Sequence, residues 1–176
     1  MYGARELGLP QHLSSAPPKG TDETWVFIYG GSSGVGQFAT QLAKLSGYKV
    51  VTVASPRNHE FVKSLGADVV FDVRILLDHV SILVAYASIR DLQYRDPEMV
   101  QKVKDATGNK ISHVLDAVSG SDTQFTSVKI LAEDKPGKVV LVQPHVDGIQ
   151  NVRKDVQVTS SSTFPPLPLH SPRPNY

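Results

Sequence analysis

The sequence predicts an α/β fold built on a doubly wound parallel sheet, and three observations carry that prediction. Short runs rich in β-branched residues alternate with segments of helical periodicity, the pattern of strands joined by right-handed crossovers. The first run, Trp25-Val26-Phe27-Ile28-Tyr29, passes through Gly30-Gly31-Ser32-Ser33-Gly34 straight into a helical pattern, with Val35, Phe38, Ala39 and Leu42 at i, i+3, i+4 and i+7. The turn itself has the spacing Gly31-x-Ser33-x-x-Gly36, a glycine fingerprint with serine at its second position. A buried strand turning sharply into a helix offers an anion unpaired backbone N–H groups and the positive end of the helix dipole. Small residues there let a phosphate approach the backbone.

The remaining elements follow in order. Residues 1–24, with Gly8-Leu9-Pro10 and a loop through Pro17-Pro18, read as a lead-in to the first strand. Helix one spans about Gly34 to Ser46, with Gly47 placed for a left-handed cap. Lys49 to Ala54 is the second strand; Ser55-Pro56-Arg57-Asn58 turns into a second helix carrying Phe61, Val62 and Leu65 and stopped at Gly66. Val69-Val70-Phe71 is a short third strand. Asp96-Pro97-Glu98 starts a helix, Asp as N-cap and Pro at the first helical position, with Val100 and Val103 facing inward as far as Gly108. Ser112 to Val118 is a fourth strand; Phe125, Val128, Leu131 and Ala132 mark a further helix; Lys138 to Val142 is a fifth strand. The expected domain covers residues 25–158.

Composition bounds the function. Eighteen basic and seventeen acidic residues are mixed along the chain, for a net charge of +1, which gives no electrostatic case for a nucleic-acid or membrane partner. The absence of cysteine excludes disulfides and thiolate-bound zinc. The six histidines, His12, His59, His79, His113, His145 and His170, are scattered, so no metal site is expected. Nothing reads as a signal peptide or a bilayer span, and a soluble cytoplasmic protein is the expectation.

Two stretches do not fit. From Val73 to Gln93, thirteen of 21 residues are apolar, where a crossover loop should be short and polar. The tail, residues 159–176, is loaded with Ser and Pro and is expected to be disordered, because such a composition buries no core.

The run YGGSSGVGQFATQLAKLSGYKVVTVASPRNHEFVKSLGADVVFD resembles the cofactor domain of the medium-chain dehydrogenase/reductase superfamily. It is most similar to the zinc-independent quinone-reductase-like branch and, within it, to fungal trans-acting enoyl reductases and zinc-type alcohol dehydrogenase-like proteins. The resemblance runs from about Gly8 to Val158 and is broken only by 73–93: joining Asp72 to Tyr94 restores VVFDYRDPE, a typical continuation in that branch. It implies a Rossmann fold, here incomplete, carrying an anomalous apolar insertion. Members have a separate β-barrel-type substrate domain that this chain does not match, so the resemblance implies a partial chain.

The resemblance also assigns residues. Backbone N–H groups of Ser32, Ser33, Gly34, Val35 and Gly36 would cradle a pyrophosphate. Between Val50 and His59 there is no Asp or Glu to receive a ribose 2′-hydroxyl. Ser55, Arg57 and Asn58 instead offer donors to a 2′-phosphate, and matching family positions bind that group, which favours NADP(H). Tyr94 is implied as an adenosine-side contact; Val142 and Gln143 correspond to positions near the nicotinamide. Asp72 and Asp116, at strand ends, read as structural. No catalytic acid or base is apparent, and hydride transfer needs chiefly orientation.

The implied function is NADPH-dependent oxidoreduction of enoyl-reductase type, on a small molecule or enoyl thioester, with a polyketide synthase as a partner by resemblance alone. The alternatives are a catalytically inert nucleotide-binding fragment and a quinone-reductase-like enzyme. Short-chain dehydrogenases also use the spacing of Gly30, Gly34 and Gly36, but that class needs Tyr-x-x-x-Lys, and no tyrosine here has a lysine four positions on.

The insertion occupies whole codons, begins with Val, whose codons start GT, and ends with Gln, one of whose codons is CAG. We predict that 73–93 is a retained intron translated in frame. Sequencing the transcript checks this: a message lacking the 63 bases (about three per residue) is expected, and a mature message that uniformly contains them contradicts it.

Overall fold

The computed structural model describes residues 23–72 and 98–160. The insertion, most of the lead-in, nearly all of the tail and Tyr94 lie outside the described residues. Six strands form one all-parallel sheet: β1 (Trp25–Tyr29), β2 (Lys49–Ala54), β3 (Val69–Asp72), β4 (Ile111–Asp116), β5 (Gly137–Leu141) and β6 (Val156–Ser160). Their order is β3-β2-β1-β4-β5-β6. The chain builds outward from β1 in one direction, then returns to β4 beside β1 and builds outward in the other. The crossovers therefore reverse between β1 and β4, and the carboxyl ends of those two strands flank a crevice open to a ligand.

Four α-helices are described: α1 (Gly34–Leu45), α2 (His59–Ser64), α3 (Met99–Thr107) and α4 (Ser121–Ile130). The period-2 alternation of strand side chains sorts the core into two layers. Phe27, Tyr29, Val51, Val53, Val114 and Val139 pack with Val103 of α3 and Val128 of α4. Val26, Ile28, Val50 and Ala54 pack on the opposite face with Ala43 of α1 and Val62 of α2. Each fully buried valine or isoleucine contributes about 1.5–3 kcal/mol relative to exposure, so a sheet buried on both faces outweighs the weak preferences of its short helices.

Several elements differ from the sequence reading. Of the four residues that mark α1 in sequence, Ala39 packs against the core but Val35 and Phe38 are 50% and 71% exposed; the buried positions are Gly36, Thr40 and Ala43. The reason is distance. A Cβ placed on Gly36 would stand 2.1 Å from the Gly30 carbonyl oxygen and 3.0 Å from the Gly31 Cα, so only small side chains fit beneath this helix. α4 stops at Ile130, and Leu131 and Ala132, assigned to it by periodicity, lie beyond it, buried in extended chain. The sixth strand had no counterpart in the sequence reading and takes in Thr159 and Ser160, the first two residues of the Ser/Pro segment. Among the described residues, no helix is long and apolar enough to cross a membrane.

The contact beneath α1 makes a paired prediction. Gly36→Ala should destabilise the fold by about 3 kcal/mol, because the obstacle is backbone. Gly34→Ala, where an added Cβ meets nothing within 4 Å, should be neutral or stabilise by up to about 1 kcal/mol. Urea unfolding of the two variants checks the contrast.

Candidate functional site

The site is built at the carboxyl ends of the strands, beginning with the turn after β1. Gly31 lies so close to β2 that an added Cβ would fall 2.3 Å from the Thr52 hydroxyl. That hydroxyl donates to the Ile28 carbonyl at 2.6 Å, and the Gly31 N–H donates to the Val53 carbonyl at 3.1 Å. The turn is thus fastened to both β1 and β2. Ser33, in extended conformation, is the N-cap of α1: its hydroxyl accepts the Gly36 N–H at 3.0 Å, and its own N–H donates to the Gly30 carbonyl at 2.9 Å.

These bonds divide the five expected cradle residues. The N–H groups of Ser33 and Gly36 are spent holding the turn, and those of Ser32, Gly34 and Val35 have no protein acceptor among the described residues. The Gln37 amide donates to the Ser32 carbonyl at 2.9 Å, fixing that peptide. Three free donors on a pinned backbone, at the positive end of a three-turn helix, are suited to hold a phosphate anion. The bare turn leaves them the room: no side chain projects from Gly34, and Val35 and Gly34 are exposed.

At the end of β2, Ser55 leads into a single 3-10 turn, Pro56–Asn58, closed by the Asn58 N–H on the Ser55 carbonyl at 2.8 Å. The side chains of Ser55, Arg57 and Asn58 carry no hydrogen bond or ion pair among the described residues. Glu60, the nearest acid in sequence, is paired with Lys63. The turn therefore presents a hydroxyl, an amide and an uncompensated guanidinium, a donor set for a phosphate rather than for a diol.

Across the crevice, the Val142 N–H donates to the Ser119 hydroxyl at 2.9 Å, and the Gln143 carbonyl accepts from Ser160 at 2.7 Å. The Gln143 side chain is exposed and carries no bond among the described residues. Both residues stand at the end of β5. Asp116, at the end of β4, is fully buried. One carboxylate oxygen accepts the N–H groups of Val118 and Ser119 at 3.0 and 2.7 Å, a turn-capping role. The other oxygen and the nearby Ser127 hydroxyl make no hydrogen bond. Burial pushes the Asp116 carboxyl above the usual carboxylate range, partly offset by the N–H groups of Ser119 and Val118. Among the described residues, no cluster of three or more metal-ligating side chains is found.

Residues 34–162 match the family described as zinc-binding dehydrogenase. The chain is 33% identical over 154 residues to a trans-enoyl reductase of a Fusarium species, covering 87% of this chain and 36% of that protein. A solved enoyl reductase, CurK, superposes with a TM-score of 0.63 at 22% identity, over 90% of this chain and 39% of that one, a likeness of fold. A mycobacterial protein solved in complex with NADPH superposes with a TM-score of 0.55 at 25% identity, over 78% and 38% of the two chains. The chain spans little more than a third of the length of the curated relative it matches.

Asp116 gives a pH signature. Its folded carboxyl titrates above its unfolded value of about 3.8, so the stability tied to its neutral form is complete below that value and is lost as pH rises through the raised one. Asp116→Asn keeps an acceptor for Val118 and Ser119 without the charge. Its stability relative to the parent is expected to improve as pH rises from about 4 and to level off once Asp116 is ionised. Asp116→Ala, which orphans two N–H groups, should cost about 1–3 kcal/mol below about pH 4, and less as Asp116 ionises in the parent. Urea titrations across pH decide both.

Proposed function

The chain belongs to the zinc-binding dehydrogenase family, within the medium-chain dehydrogenase/reductase superfamily, and we propose that it is the NADP(H)-binding half of an oxidoreductase of enoyl-reductase type. The observation that carries the cofactor choice is the end of β2, where Ser55, Arg57 and Asn58 have no side-chain partner among the described residues and no carboxylate stands among them in sequence. A carboxylate there would accept the 2′-hydroxyl of NAD and repel a 2′-phosphate; a guanidinium does the opposite. The free N–H groups of Ser32, Gly34 and Val35 hold the pyrophosphate, Tyr94 contacts the adenosine side, and Val142 and Gln143 border the nicotinamide.

When bound, the reduced nicotinamide supplies the hydride. The residues of this chain bind and orient: Arg57 and its neighbours anchor one end of the dinucleotide, the turn before α1 fixes the middle, and the loop after β5 bounds the other end. Orientation is the larger part of what such a transfer requires from protein. For the whole protein, the reading is reduction of a polarised enoyl thioester, as the name of the Fusarium relative suggests, with a polyketide synthase as the source of substrate.

Fluorescence titration with NADPH and NADH tests the cofactor assignment. Arg57→Glu should weaken NADPH binding at least about tenfold, the scale of one lost charge-assisted hydrogen bond, and NADH binding about twofold or less. Equal losses would remove the 2′-phosphate assignment.

A further inference from the structure

The loops after β4 and β5 are tied together by side chains that no sequence motif singled out. Ser119 adopts φ +54°, in the left-handed region, a conformation that costs free energy in a residue with a Cβ and persists where surroundings enforce it. Its hydroxyl donates to the Asp116 carbonyl at 2.7 Å and accepts the Val142 N–H at 2.9 Å. Gln124, 1% exposed in α4, completes the tie. Its amide nitrogen donates to the Ser119 carbonyl at 3.0 Å and to the Pro144 carbonyl at 3.1 Å, and its amide oxygen accepts the Val146 N–H at 2.9 Å.

Both donors and the acceptor of this buried amide are spent on loop backbone on either side of the crevice mouth. None of these bonds supports α4 itself, although the helix carries the residue. The loop so held also abuts the glycine turn: a Cβ on Gly30 would fall 2.8 Å from a Val118 methyl. Backbone bonds from the Ala117 N–H to the Tyr29 carbonyl and from the Val142 N–H to the Asp116 carbonyl join the ends of β1, β4 and β5; beyond them, Ser119 and Gln124 fix how the loops after β4 and β5 continue.

We propose that Ser119 and Gln124 are positioning residues that set the wall of the site on the nicotinamide side, leaving the adenosine side at β2 independent of them. This rests on the reading of the crevice as an NADP(H) site. The two halves lie on opposite sides of β1, and the contacts that fasten Gly31 and Ser33 to β1 and β2 share no atom with the Ser119–Gln124 tie. Loosening the tie should therefore weaken binding of the complete dinucleotide and spare a ligand that occupies only the adenosine side.

Two variants on different elements separate this from a general loss of structure. Ser119→Gly adopts the same backbone without strain and removes the hydroxymethyl side chain; Gln124→Glu keeps the shape and the acceptor and removes the donors. For each, affinities for NADPH and for adenosine 2′,5′-bisphosphate are measured with the thermal unfolding midpoint. The expected result is a loss of about tenfold for NADPH, the scale of a hydrogen bond or two, with the bisphosphate within about twofold. Parallel losses for both ligands, or a folded variant with unchanged NADPH affinity, would overturn the proposal while leaving the NADP(H) reading in place. Should the parent chain bind neither ligand, that reading and this proposal fall together.

Discussion

The close approach of α1 to the end of β1 is the constraint on which the rest of the structure depends. With the Gly30 carbonyl directly beneath Gly36, the helix can enter only if its first turn presents no side chain inward. Everything at the site follows from that entry. The turn is too tight for its own N–H groups to find acceptors at Ser32, Gly34 and Val35, and the dipole of α1 is aimed along them. The same closeness reverses the amphipathic logic of the helix. Thr40 lies under it and is tolerated in the interior because its hydroxyl donates back to the Gly36 carbonyl at 2.8 Å. Larger side chains, including Leu45 at 76% exposure, are turned outward.

How much of the fold could be read in advance depended on whether the cause was local. Strand runs are decided largely by their own composition: Lys49–Ala54 has the expected bounds, and the runs read at 138–142 and 112–118 form strands at Gly137–Leu141 and Ile111–Asp116. The stop after α3 lies in a single residue, Gly108, which adopts the left-handed conformation. Two features were decided elsewhere. The buried face of α1 is set by the sheet beneath it, so the periodicity of Val35, Phe38, Ala39 and Leu42 located a helix and placed Ala39 on its inner side, but put Val35 and Phe38 there too, which are exposed. The strand β6 pairs with β5 through Val156 to Ser160, and its sequence, Val-Gln-Val-Thr-Ser, runs into a Ser/Pro-rich stretch that outweighs it in any local count.

The site divides along the same line. The glycine turn and the donor set after β2 are contiguous in sequence, and both could be found by spacing and by the absence of an acid. The LGAD motif that helped the resemblance has a physical basis as well: Asp68 accepts the Val50 N–H at 2.8 Å and pairs with Lys44 at 2.6 Å, fastening α1 and β2 to the turn before β3. Ser119 and Gln124 left no such trace. A glutamine on a helix whose amphipathicity is weak reads as a solvated residue, and only the fold shows that its amide reaches backbone twenty residues away at Pro144. A serine after a strand reads as a turn residue. The one available hint was Asp116, two residues before the end of the apolar run that was taken as a strand through Val118. An acid at that place is better suited to ending a strand than to continuing it.

In the proposed reading, phosphate holding and cofactor choice are built from different materials, and this affects how each can change. The cradle uses backbone N–H groups on a turn fixed by packing against Thr52 and Gly30, so no side-chain substitution can retune it without moving the backbone. The residues proposed to discriminate at β2 are side chains on a 3-10 turn that bears little of the core: Arg57 is exposed and makes no bond among the described residues. Exchanging it alters the charge at one end of the site at almost no cost in stability. A fold arranged this way can change its preferred dinucleotide through a few exposed positions while the geometry that presents the pyrophosphate stays as it is. The opposite side of the crevice lacks that freedom, because the Ser119–Gln124 tie is buried and shared between two loops.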